Sequence, residues 1–188
     1  MAPMSAQQGV PEMTVSSRSR LGCEQLEARE NPSNVSVVYN STHDLIITGD
    51  NAGNIFTLQE NAAGDYFVQA GSGTTINGLP AVNLGAIKPV IISITGGNGN
   101  DNIAVYGVHP SNTLAITTGS GNDYVNLSGD VTKYVNVNVA AGNNTLTTTN
   151  VTASVSATIK AGTGDNVWVD NSLHAASLKQ SGWTKIEP

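Results

Sequence analysis

Asp101 and Asp123 stand 22 residues apart, each closing a glycine-rich tract, GGNGND over 96–101 and TGSGND over 118–123, and each follows an asparagine, Asn100 or Asn122. Carboxylate and amide side chains repeated at one interval can hydrogen-bond from one copy of a repeat to the next and tolerate left-handed backbone in tight turns. Hydrolysis or general acid–base work asks for more, namely paired Asp or Glu with a Lys, Arg or His in one groove. The basic residues do not supply it. Lys88, Lys133, Lys160, Lys179 and Lys185 share no register, and His43, His109 and His174 lie about 65 residues apart, three repeats, so each histidine reads as a solvated loop residue. With no Ser/His/Asp set, metal-ligand pair or phosphate loop, the chain is not expected to be an enzyme.

What positions these residues is legible in the composition. The 188 residues fit one domain. Only 12% of them are charged, whereas 20 Gly, 21 Asn and 19 Thr disfavour helices. A net charge of −6, with no Arg after Arg29, argues against nucleic-acid or anionic-lipid partners. The single cysteine, Cys23, excludes an internal disulfide framework. No apolar run is long enough for a spanning helix, nor for the core of an ordinary secretory signal.

Six glycines, Gly49, Gly71, Gly97, Gly119, Gly142 and Gly162, recur at intervals of 20–26 residues. Three residues before each stand Ile46, Val68, Ile94, Ile116, Val139 and Ile159, all aliphatic and β-branched. Alternation on either side of the glycines predicts a strand entering and a strand leaving each turn. One such unit cannot bury its apolar face, and stacking units in register does. The expected fold is therefore all-β, a parallel β-helix or β-solenoid of about six rungs over residues 35–172. Gly97, Gly99, Gly119, Gly121, Gly162 and Gly164 are its structural turn residues. Pro80 and Pro89 mark an insertion between rungs, VSVVYNSTHD begins the first rung, and residues 173–188, with Leu173, Leu178 and Trp183, form a C-terminal cap. Columns of Asn100, Asn122 and Asp165, and of Asp101, Asp123 and Asn166, make polar ladders, with Gly53 in the first turn's place. The threonine runs do not keep one column over three rungs, so the flat threonine array of an ice- or glycan-binding surface is not expected.

Residues 1–34 differ in composition, holding all three arginines, and read as a disordered or short-helical leader. Its segment SRSRLGCEQLEARENPS resembles an N-terminal motif of secreted, β-strand-repeat proteins of planctomycete bacteria, through Arg18, Arg20, Leu21, Glu24, Leu26, Glu27, Arg29, Pro32 and Ser33. Asn31 stands where an apolar residue is commoner. The tracts LIITGDNAGNIFTL, GSGTTING and GSGNDYVNL are similar to the repeat units of the same proteins. This resemblance implies a β-strand-repeat architecture and an extracellular or cell-surface location, not an activity. The expected role of such a solenoid is structural or adhesive, with self-association or cell-envelope components as the partners to consider. GGNGNDNIA over 96–104 also resembles the calcium-binding repeat of RTX proteins. That resemblance implies Asp101 and Asp123, with Asn100 and Asn122, as calcium candidates and calcium as the one cofactor to consider, because calcium takes six to eight oxygens. RTX repeats recur every nine residues and these do not; the flanking turns moreover offer Gly53 and Asn166 in the Asp column, so at most one site is expected.

Overall fold

The computed structural model describes residues 32–188; the expected leader lies, up to residue 31, outside the described residues. Fifteen strands follow in chain order. They are β1 (Ser33–Tyr39), β2 (Asp44–Thr48), β3 (Ile55–Glu60), β4 (Tyr66–Ala70), β5 (Thr74–Ile76), β6 (Ala81–Gly85), β7 (Ile91–Thr95) and β8 (Asn102–Tyr106). Then come β9 (Thr113–Thr117), β10 (Tyr124–Ser128), β11 (Val131–Val139), β12 (Thr145–Ala161), β13 (Val167–Ala175), β14 (Leu178–Ser181) and β15 (Thr184–Ile186). Among the described residues there is no helix.

Two rows of parallel strands face each other across the core. The first row runs β2, β7, β9, β11, the second half of β12, then β14; the second runs β3, β8, β10, the first half of β12, β13, then β15. Each pass from first row to second goes through a Gly/Asn turn. The result is an all-β parallel solenoid of about four turns.

The core follows from strand alternation within this stacking. Ile47, Ile94, Ile116, Val137 and Ile159 pair successively along the first row, with Leu45, Ile92, Leu114, Val135 and Ala157 as a second inward column. From the second row, Phe56, Ile103, Val125, Leu146 and Trp168 lie opposite. All are buried, and at roughly 1.5–3 kcal/mol for each large apolar side chain this seam is the main stabilising term.

Three expectations about the register of the rungs change. Six rungs are not present as aligned, because Gly71 and Val68 belong to an antiparallel excursion in which β4 pairs β3 and β6. Ile46 is exposed, its neighbour Ile47 filling the column. Val137 rather than Val139 stands opposite Ile116, because the turn glycine stacked on Gly121 is Gly142. Val139 is buried nonetheless.

The two ends differ. At the N-terminal end β1 folds back antiparallel onto β2 and β4 onto β3, so the VSVVYNSTHD segment forms a hairpin rather than a first rung. Val35, Val37 and Ile76 there cover the seam. At the other end β14 and β15 continue the parallel register, and Trp183 and Lys185 occupy the positions above Asn166 and Trp168. Of the three apolar residues expected to cap this end, Trp183 is buried, Leu173 is partly buried and Leu178 is exposed.

Candidate functional site: the stacked turns and their buried carboxylates

The first five turns between rows each end in one buried polar residue, and these form an inner column of Asn54, Asp101, Asp123, Asn144 and Asn166, above which Trp183 closes the last turn. Backbone N–H groups link them. Asn54 donates to Asp101 Oδ1 at 2.8 Å, Asp101 to Asp123 Oδ1 at 2.9 Å, Asp123 to Asn144 Oδ1 at 2.8 Å and Asn144 to Asn166 Oδ1 at 3.2 Å. One residue earlier an outer column runs the opposite way. Asn122 N–H donates back to Asn100 Oδ1 at 2.8 Å, Asn143 to Asn122 Oδ1 at 2.8 Å and Asp165 to Asn143 Oδ1 at 2.9 Å. Turn backbone that the strand ladder cannot reach is thus satisfied by side chains of adjacent turns.

The asparagines of the inner column also satisfy their own turn. Nδ2 of Asn144 donates to the carbonyls of Ala140 and Gly142 at 3.3 and 3.2 Å, and Nδ2 of Asn166 to those of Gly162 and Gly164 at 3.0 and 3.2 Å. Asn54 does the same with Asp50 and Ala52. An ionised aspartate has no donor to offer there, and Oδ2 of both Asp101 and Asp123 is buried without a partner. Burial is the main force pushing the Asp101 carboxyl up to about 6; hydrogen bonds from Asn54 oppose it, and the charges of Asp123 and Asp50 add to it.

Glycine makes the close stacking of these turns feasible. A Cβ on Gly121 would meet the carbonyl oxygen of Gly99, one on Gly142 that of Gly121, and one on Gly164 that of Gly142. Of the other expected turn residues, Gly97 is left-handed and abuts the Asp50 carbonyl, while Gly119 and Gly162 approach backbone of the turns beneath them, at Gly97 and Ala140. The expected Gly53 is not in the inner column; Asn54 is.

Three further polar groups were not legible. Asp130, wholly buried, is stacked between Val108 and Val151 at the corner after the second row and accepts the Val108 N–H at 3.0 Å. Its Oδ2 has no partner, and burial pushes its carboxyl up to about 7 against hydrogen bonds from Val108, Ser128 and Gly107. Nearby, Glu60 Oε2 lies 3.0 Å from both the ring Nδ1 and the backbone N–H of His109, which also donates to the Tyr66 hydroxyl at 3.2 Å. His109 is the exposed loop residue expected, and it also clasps the β3–β4 hairpin to the corner. At the C-terminal end Asp170 accepts from Thr148 Oγ1 and the Leu173 N–H, both at 2.8 Å, and pairs with Lys185 at 2.8 Å, while Lys185 sits 4.9 Å above the Trp168 ring.

Among the described residues no three His, Cys, Asp or Glu side chains gather as a metal-binding group. Thr48, Thr95 and Thr117 do share one exposed column over three passes, contrary to expectation, because the excursion that holds Gly71 drops out of the register. The fold defines the class of protein, a β-solenoid. No family model, curated protein or solved structure matches the chain.

Proposed function

We propose that the chain is a non-enzymatic structural or adhesive module, carried outside the cell or on its surface. The observation that supports this reading best is the continuity of the seam and of the two opposed ladders. Together they hold successive turns in one register and make each outer face a rigid array of side chains repeated at the strand spacing of about 4.8 Å. The leader and repeat resemblance supports the location. Fractionating the source cells with an antibody, and sequencing the N-terminus of the mature protein, tests it. Recovery in the envelope or medium with the leader processed is the expected result; a cytoplasmic protein retaining Met1 overturns it.

A second reading, a calcium-dependent binding module, is favoured by the two partnerless oxygens, Asp101 Oδ2 and Asp123 Oδ2. A ligand that binds only the native state must raise its melting midpoint. Calorimetry with millimolar calcium and with chelator tests it; identical midpoints dismiss calcium.

A further inference from the structure

We infer that the outer face of the second row binds a neutral polysaccharide, with Tyr106 and Tyr124 as its stacking platforms. The inference rests on the adhesive reading and assigns it a face and a ligand class.

The outward side chains of this row are those of Ile55, Thr57 and Gln59 on β3 and of the matching positions on β8, β10, β12 and β13, as far as Asn171. None of them is charged. The first row differs, with Asp44, Lys160 and Lys179 outward or exposed. A face without charge offers nothing to attract a polyanion, whereas a polyhydroxylated neutral ligand needs only hydroxyl and amide partners and an apolar surface for its ring faces.

The middle three strands carry both. Asn126, Ser128, Thr145, Thr147 and Thr149 present rows of hydroxyls and an amide on adjacent strands. Tyr106 and Tyr124 are 37% and 39% exposed. The Tyr106 hydroxyl accepts from Asn126 Nδ2 at 3.2 Å, and Asn126 pairs with Ala104. The Tyr106 side chain therefore reaches across from β8 toward β10, beside Ala104, an outward residue only 9% exposed. A partly exposed ring with its hydroxyl tied down loses little freedom on binding a ligand. Tyr124 pairs with Asn102, four residues before Tyr106, so the two Cα atoms are about 14 Å apart diagonally on one face, with the Tyr106 hydroxyl reaching back to Asn126 two residues along β10 from Tyr124.

A protein partner would be expected to seek a more apolar centre than these hydroxyl and amide rows provide. A second copy of the chain is the occupant to be distinguished.

The test incubates the full chain with amorphous cellulose, chitin, curdlan and dextran beads, and with alginate as the anionic control. Retention on at least one neutral polymer, unchanged by 1 M salt, is expected, because no ion pair contributes. Tyr106→Ala and Tyr124→Ala should each weaken that retention about tenfold or more, as truncated aromatic anchors do. Asn136→Ala on the first row should leave it unaltered, with all variants keeping the wild-type circular dichroism. No retention on any neutral polymer, retention indifferent to both tyrosines, or retention on alginate alone overturns the proposal. Tyrosine-dependent dimerisation in sedimentation without polymer retention also overturns it, assigning the face to a second copy. If the chain still adheres to purified cell envelope in these cases, the adhesive reading survives while the assigned face does not.

Discussion

Asp101 stands over Asn54 in the inner column and accepts both its backbone N–H, at 2.8 Å, and its Nδ2, at 3.1 Å, on a single oxygen, Oδ1. The other oxygen occupies the place from which the asparagines of the column donate to their own turn. A proton or an amide group completes that position; an ionised carboxylate leaves two carboxyl and carbonyl oxygens facing each other.

Asp101→Asn should therefore stabilise the protein at pH 8 by about 1–3 kcal/mol, restoring the donor found at Asn144 and Asn166. The gain should shrink at pH 4.5, where the wild-type carboxyl already carries its proton. Urea melts of both proteins at the two pH values measure this. The same variant separates the two readings of the turns, since a calcium-held turn would lose stability on this substitution when calcium is present.

Asp130 gives the fold a proton-linked stability. A carboxyl raised to about 7 in the folded chain, against an ordinary 3.8, means that the native state holds more protons between those values. Stability is then greatest below about 3.8 as far as this group is concerned, declines as pH rises, and is lowest above 7. Denaturation midpoints should fall between pH 5 and pH 8. Asp130→Asn, which keeps an oxygen for the Val108 N–H, should flatten that slope whatever it does to absolute stability; an unaltered slope would refute the assignment.

Lys185 acts on Trp168 and Asp170 together, and two variants separate the roles. Lys185→Ala should cost about 1–3 kcal/mol, exposing the indole and leaving Asp170 without its cation. Lys185→Met keeps an apolar stem over the ring and should recover part of the loss. Burial alone would raise the Asp170 carboxyl, but Lys185, Leu173 and Thr148 hold it below the ordinary value. Its contribution is present above about 3.8 and disappears as pH falls through that lower range. Thermal melts of the three proteins at pH 7 and pH 3 read both effects.

The corner after the second row is left-handed on four successive turns, at Gly107, Gly129, Asn150 and Ser172. Serine bears that conformation worst, at about 1–2 kcal/mol, while glycine adds unfolded-state entropy of about 0.5–1 kcal/mol. The first term is larger, so Ser172→Gly should raise stability by about 0.5–1 kcal/mol in a urea melt.

The period, the strand–turn–strand unit and the inward β-branched residues were legible because stacking imposes them on every turn alike. The register was not always so. Gly49 and Gly97 look equivalent, yet the backbone brings Gly49 to Gly96, which moved the first inward residue from Ile47 to Ile46. Val68 and Gly71 mimic a rung in composition because a hairpin that covers a core needs the same alternation. Asp101, Asp123, Asn100 and Asn122 were found by spacing, whereas Asn144 was missed because the alignment placed Gly142 two residues out of register. Nothing local marks Asp130 or the Glu60–His109 clasp: one depends on the valines above and below it, the other on an excursion returning to a corner about 49 residues later.

The reversed hairpins at one end and the lone lysine-held strands at the other give the rod a direction of failure. Peeling β1 or β4 away exposes Val35, Val37, Tyr66 and Val68 at once, a cooperative loss. β14 and β15 have a neighbour on one side only and can detach singly while the interior turns keep theirs. Thermal fraying should therefore advance from the β15 side inward, turn by turn, with Lys185 over Trp168 as the first latch to open.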